Sequence, residues 1–373
     1  MRFSIVAVLA LAIVIQALPS PGAATADPHK HTRPRNSKVN GLQFDIDGTT
    51  SYFAGTNAYW AAFWKDRADV DLVMGQLKQS GLKVLRCWGF NDISFGNQTS
   101  EVWFQSFIEG QPPVINTGPN GLQQLDAVVA SAEKHGIKLI IPFVNNWDDY
   151  GGMSAYLAYY GGNASTWYTS EVIQAQYQTY IAAVVSRYKH SKAIFAWELA
   201  NEARCEKCDF SIITNWATRT SAYIKRLDHH HMVTLGDEGW FNGGGDGSSI
   251  YTGKDGIDFV ANLKIKDLDF GTFHMYPEHW SQPDSFANGW ITEHAAACKA
   301  AGKPCILEEY GVQADNHTPI EGPWQATALS LKDAGLGADM FWGFGTILTD
   351  GKPSANQTDN FDLFYGTPDW QTL

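Results

Sequence analysis

Ala193-Ile194-Phe195-Ala196-Trp197-Glu198-Leu199-Ala200-Asn201-Glu202 is the stretch on which the reading of this chain turns. Its apolar run is too short for a helix of ordinary length, and it opens directly into a polar tip that closes on Asn-Glu. A run of this kind reads as a buried strand that delivers a carboxylate at its C-terminal end. Cys305-Ile306-Leu307-Glu308-Glu309-Tyr310-Gly311 repeats the design.

Around these two strands a larger unit recurs: amphipathic helix, glycine, apolar strand, polar tip. Val70, Leu72, Val73 and Leu77 have helical spacing, Gly81 ends that helix, and Lys83 to Trp88 follows as a strand. Leu122, Leu125, Val128, Val129 and Ala132 repeat the spacing before Gly136 and the strand from Lys138. Ala295 to Ala301 with Gly302, and Ala326 to Ala334 with Gly335, do so again. Glycine is expected where a helix ends in a left-handed turn. The candidate strands fall near 52–57, 83–88, 138–144, 193–199, 232–236, 269–275, 305–309 and 338–343. Strands alternating with helices pair in parallel, and eight of them close into a (β/α)8 TIM barrel. Leu42 to Tyr52, with an Asp47-Gly48 turn, reads as an N-terminal β-hairpin capping the barrel bottom.

Composition supports this size of core. The chain has 373 residues, 44% of them hydrophobic, and residues 38–373 are expected to form a single catalytic domain. The net charge of -12 argues against nucleic-acid and anionic-membrane partners. Arg2, the apolar run from Ile5 to Leu18 and the Ala24-Thr25-Ala26 cleavage site make residues 1–26 a signal peptide, with 27–37 a pro-segment or loose arm. The mature protein is therefore expected to be secreted, extracellular and monomeric. Export makes the five cysteines readable as disulfides: Cys205 with Cys208 and Cys298 with Cys305, leaving Cys87 as a core thiol. No second CxxC or spaced His pair completes a zinc site at Cys205, so no metal is expected. The run His229-His230-His231 reads as a solvated helix end. Sequons at Asn97, Asn163, Asn316 and Asn356 fit export as well.

Seven of the eight strand tips carry functional residue types, which a core explanation does not account for. They supply Arg86 and Trp88, then Asn145, Asn146 and Trp147, then Asn201 and Glu202, then Asp237, Glu238 and Trp240, then His274 and Tyr276, then Glu309, then Trp342. Two carboxylates on separate tips are the requirement of a retaining glycoside hydrolase, one as acid/base and one as nucleophile. Glu202 is the expected acid/base, and Asn201 is placed for a sugar 2-hydroxyl. Glu198 lies within its strand and is expected to pair with a buried arginine. Glu309 is the expected nucleophile, with Glu308 as the alternative. Strand alternation lets only one of those two reach the barrel mouth. Arg86, His274 and Tyr276 are candidate donors to Glu309. Trp88, Trp147 and Trp342 are candidate sugar platforms.

These residues resemble glycoside hydrolase family 5, and within it the fungal secreted endo-β-1,4-mannanases. The resemblance rests on Leu85-Arg86-Cys87-Trp88-Gly89-Phe90, Trp197 to Glu202, Phe273-His274-Met275-Tyr276-Pro277 and Leu307-Glu308-Glu309-Tyr310-Gly311. It covers nearly the whole mature chain. It selects Glu309 over Glu308, and implies that Arg204 contacts the leaving-group side of a cleft and that Glu238 helps organise the site. It implies that Trp88, Asn201, Tyr276 and Trp342 bind sugar, and that no cofactor is needed. One departure is visible: the family usually has Pro after the acid/base, and this chain has Ala203. Proline suits a first helical turn there, so a local stability effect is expected. The expected activity is endo-hydrolysis of mannan, galactomannan and glucomannan with retention. The alternatives are an endo-β-1,4-glucanase on the same barrel and a non-catalytic polysaccharide-binding protein.

Overall fold

The computed structural model describes residues 35–94, 102–354 and 360–373. Eight parallel strands form one sheet: Phe53–Asn57, Val84–Arg86, Lys138–Pro142, Ile194–Glu198, Met232–Thr234, Gly271–Met275, Cys305–Tyr310 and Leu336–Phe341. All eight lie where the sequence places them. Numbered along the chain, they run in the order five-four-three-two-one-eight-seven-six, so the first strand pairs with the eighth. Strands five and six close the ring through Asp269 N donating to Val233 O at 2.8 Å and the Asp269 carboxylate accepting from Val233 N at 2.7 Å.

The barrel is filled in layers. Phe53, Val84, Ile140, Phe195, Met232, Phe270, Ile306 and Met340 make the apolar layer. Phe44, from the middle strand of the N-terminal antiparallel sheet (Lys38–Asn40, Gln43–Ile46, Thr49–Ser51), plugs this layer from the bottom. Its ring meets Phe53, Phe195 and Phe270 at 5.2–5.6 Å. The hairpin turns at Asp47 and Gly48, both with positive φ, as a two-residue turn of this hand requires. Towards the C-terminal ends the interior side chains become charged: Arg86, Glu198, His274 and Glu308, all fully buried.

Glycine ends the helices Arg67–Ser80, Leu122–His135 and Phe286–Ala301, with Gly81, Gly136 and Gly302 in the left-handed region. The fourth such unit departs from expectation. The helix Thr318–Ser330 stops before Gly335, and Gly335 instead lets the chain pass the Ala295 carbonyl, which an added Cβ would meet at 2.1 Å. Residues 35–37 are not a loose arm: Arg35 N donates to Asp47, and Ser37 is buried. The remainder of the expected signal and pro-segment lies outside the described residues. His229 and His230 are exposed as expected, whereas His231 is buried, 2.6 Å from Asp228 and 2.9 Å from Ser191 O. Asp228 explains this, because it also accepts the Trp197 indole N–H and draws the third histidine into the body. Cys205–Cys208 and Cys298–Cys305 are bridged, and Cys87 is a buried thiol. Among the described residues no helix is long and apolar enough to cross a membrane. Asn163 and Asn316 are exposed, while Asn97 and Asn356 lie outside the described residues.

Candidate active site

The strand tips surround a cleft of about 810 Å³. Barrels of this kind place chemistry at this end, because each strand feeds a loop there whose sequence is free of packing duties. Trp88, Trp147, Asn201, Glu202, Arg204, Glu238, Tyr276, Glu309 and Trp342 all line the cleft. Arg86 and His274, also expected in the site, lie buried beneath it.

Arg86 is the hub of the cleft floor. Its guanidinium donates twice to Glu198, at 2.9 and 2.7 Å. It also reaches Glu309 Oε1 at 2.5 Å, Asn201 Oδ1 at 2.7 Å and Asn57 Oδ1 at 3.2 Å. The five-donor planar fork is the one side chain that can serve this many acceptors at once. Glu198 thus pairs with a buried arginine, as the sequence suggests. Asn57 makes the first strand an eighth functional tip: its amide also donates to Glu308 O at 2.9 Å.

Glu309 Oε2 accepts the Tyr276 hydroxyl at 2.8 Å. His274 has a different first partner from the one expected. Its Nδ1 lies 2.6 Å from Glu202 Oε1 and 3.6 Å from Glu309 Oε2. The imidazole therefore sits between the two carboxyls and is nearer the first. One oxygen of each carboxyl and a ring nitrogen of His274 lie within 4.8 Å of one another. Three such groups could ligate a cation, but the Arg86 guanidinium, bound to Glu309 Oε1, opposes a second positive charge beside them. The second Glu202 oxygen accepts the Trp147 indole N–H at 2.6 Å.

Glu308 corrects the simple alternation argument. Glu309 lines the cleft and Glu308 does not, yet Glu308 also points inward, 3.7 Å from Arg86 Nε and 3.4 Å from His274 Nε2. The cause is a register shift against strand six: Phe273 pairs with Leu307 and His274 with Glu309. The bulge leaves Glu308 as the extra residue and re-aims it. Four carboxyls, from Glu198, Glu202, Glu308 and Glu309, therefore face two cations.

That imbalance shows in the titration of the group. Burial, offset in part by Arg86 and reinforced by Glu308, pushes the Glu198 carboxyl up to about 8. Burial also lifts Glu309 above the ordinary range, with His274 and Arg86 pulling the other way. For Glu202, burial is outweighed by the hydrogen bond and charge of His274, aided by Arg204 and Trp147, and the carboxyl falls to about 2. His274 is raised well above its usual value despite burial, because Glu309 and Glu202 favour its protonated form. Glu202 and His274 are best treated as one pair that shares a proton.

Glu202 belongs to no helix. The next helix begins at Ser211, and Glu202 has φ 52°, with its N–H donating to Gly236 O at 2.8 Å. Ala203 therefore stands in a loop, where a proline would not open a helical turn. Arg204, next along that loop, forks onto Glu238 at 2.5 and 2.6 Å and reaches Asp255 at 3.2 Å. Its guanidinium lies 4.9 Å from the Trp147 ring centre and 4.3 Å from that of Trp240. Elsewhere in the cleft lining Tyr59 stacks on Trp342, with Trp88 beside them. Trp240, a strand-tip residue in the sequence, also lines the cleft, as do Tyr59, Asp255, Trp280, His279 and Phe361, which the sequence does not mark. Trp240 had a signal, being three residues beyond Asp237 at a strand tip. The others come from loops and short 3-10 turns without periodicity.

Comparison with known proteins agrees with this geometry. Residues 164–362 match the family described as GH family 5 beta-mannosidase-like. The chain is 56% identical to the probable mannan endo-1,4-beta-mannosidase A of Aspergillus niger, over 90% of this chain and 87% of that one. It is 52% identical to the mannan endo-1,4-beta-mannosidase A of Hypocrea jecorina, over 90% of this chain and 75% of that one. The crystal structure of the endo-1,4-beta-mannanase from Rhizomucor miehei superimposes with a TM-score of 0.81 at 36% identity, covering 90% of this chain and 96% of the other.

Proposed function

The chain belongs to glycoside hydrolase family 5, in its β-mannosidase-like branch, and from that membership we propose how the site works and where. The enzyme is a mannan endo-1,4-β-mannosidase that cuts internal β-1,4-mannosidic bonds with retention. The observation that carries the mechanism is the closeness of two carboxyls on the fourth and seventh strand tips, with one oxygen of each within 4.8 Å. Retaining enzymes hold the pair about 5–5.5 Å apart, whereas inverting ones need about 6.5–9.5 Å to admit a water.

In the first step a Glu309 oxygen attacks the anomeric carbon. The bond to the leaving sugar breaks, and its oxygen takes the proton held by the Glu202–His274 pair. In the second step the pair takes a proton from water, the water oxygen attacks the anomeric carbon, and Glu309 leaves as a carboxylate. Arg86 and Tyr276 donate to Glu309 and favour that ionised form. Burial lifts the Glu309 carboxyl, so its ionisation sets the acidic limb of activity. Tyr59, Trp88 and Trp342 offer aromatic faces to the cleft as one cluster, and Arg204 with Trp147 and Trp240 as another. Asn201, fixed by Arg86 and Asn145, is set for the sugar 2-hydroxyl. Export fits the signal-like N-terminus and the two disulfides.

The test is reducing-sugar release from galactomannan against carboxymethyl-cellulose, with products from mannohexaose resolved by size. Faster release from galactomannan and internal cleavage products are expected. Faster cleavage of the cellulose, or release of single mannose units only, would overturn the reading.

A further inference from the structure

Trp147 stands out because it does two things that a sugar platform need not do. It leaves much of its ring open, at 41% exposure, yet it aims its one polar atom at the acid/base rather than at solvent. Its backbone is also held firmly. Trp147 N donates to Asn145 Oδ1, and that same oxygen accepts from Asn201 Nδ2 at 3.0 Å. Asn146 N donates to Asn201 O at 3.0 Å, and Asn201 N to Val144 O at 2.8 Å. Gly152 lets the loop fold back so tightly that a Cβ there would meet Trp147 O at 2.2 Å. The third and fourth strand tips are thus stitched together, one carrying the indole and the other the carboxyl. The Arg204 guanidinium lies over the indole ring, 4.9 Å from its centre.

An indole N–H donates and cannot accept. A hydrogen bond to Glu202 Oε2 therefore favours the ionised carboxylate and opposes the protonated acid. We propose that Trp147 is a positioning residue for Glu202: its N–H fixes the carboxyl and lowers its proton affinity, strengthening the proton release of the first step and keeping the carboxylate available as base in the second. This rests on the assignment of Glu202 as acid/base. The other groups facing Glu202 are His274 and Tyr276 from strand six, Arg204 from its own loop, Glu238 from strand five and Glu309 from strand seven. Each of these stays in place when only the indole N–H is removed.

The experiment is the pH dependence of kcat/KM on mannohexaose for the wild type, Trp147→Phe and Trp147→Ala, each with its circular-dichroism spectrum. The wild type serves as the arm that tests the activity itself: without cleavage there, the functional reading fails and the variants are not at issue. Trp147→Phe keeps an aromatic face and removes the N–H. Its alkaline limb is expected about one pH unit above that of the wild type, the size of one lost hydrogen bond to a charged group. Trp147→Ala is expected to move the limb by the same amount and to raise KM further. If both variants fold and raise KM while the alkaline limb stays where it is, Trp147 is a sugar platform only and the proposal is wrong.

Discussion

Glu198 illustrates why a buried carboxylate in this barrel cannot be read alone. It carries no expected catalytic role, yet it shares Arg86 with Glu309 and competes with it for one guanidinium. Its carboxyl is pushed up to about 8 by burial. A carboxyl raised on folding contributes stability fully below its unfolded value, near 4.5, and that contribution is lost as the pH rises through about 8. The melting temperature should therefore fall between pH 5 and pH 9, and Glu198→Gln should flatten the fall. Calorimetry at several pH values checks this, and an equally steep fall in the variant would place the titration elsewhere in the cluster. At this scale much was legible in the sequence. The tips of strands two, four, six and seven name Arg86, Glu202, His274, Tyr276 and Glu309 because strand ends in such barrels point at one place. What could not be read was pairing. His274 lies nearer Glu202 than Glu309, and that depends on where two loops set Glu202, not on residue type.

At the scale of elements, the loop after strand four shows how a short disulfide can brace a wall of the cleft. Cys205 N donates to Asp255 O at 2.7 Å and Lys207 N to Lys254 O at 2.7 Å, so the Cys205–Cys208 loop lies edge to edge with the segment that carries Asp255. Gly256 permits this, since a Cβ there would meet Cys205 O at 2.8 Å. Arg204 then finds Glu238 and Asp255 in fixed places. The double variant Cys205→Ser with Cys208→Ser is expected to lose about 2 kcal/mol of stability at most, because so short a loop gains little from closure. Its KM for mannohexaose should rise several-fold while kcat changes less. A change confined to kcat, measured by steady-state kinetics, would contradict the assignment of this loop to the binding wall. Elements with a strong period were readable, as the three helices ending at Gly81, Gly136 and Gly302 show. The bulge at Glu308 was not, because a register shift is a property of two strands together. Gly335 differs from a helix stop for a related reason: it serves a close approach to Ala295, and a glycine does not announce which of its uses applies.

Over the whole molecule the barrel separates two tasks along its axis. The N-terminal end is closed by an aromatic plug, and the C-terminal end carries charge and the cleft. Phe44→Ala removes the plug from contact with three phenylalanines and should cost about 3–5 kcal/mol in denaturant unfolding. The specific activity of the folded fraction should stay near that of the wild type, because the cleft lining does not include Phe44. A large loss of activity in fully folded protein would show that the two ends are coupled. Glu309 is expected to bond covalently to the sugar, and peptide mass spectrometry after reaction with a 2-deoxy-2-fluoro-mannosyl fluoride reads that bond. A 2-deoxy-2-fluoro-mannosyl adduct on Glu309, absent from Glu309→Gln, is the expected result. An adduct on Glu308 or Glu202, or none at all while the bond is cleaved with inversion, would contradict it.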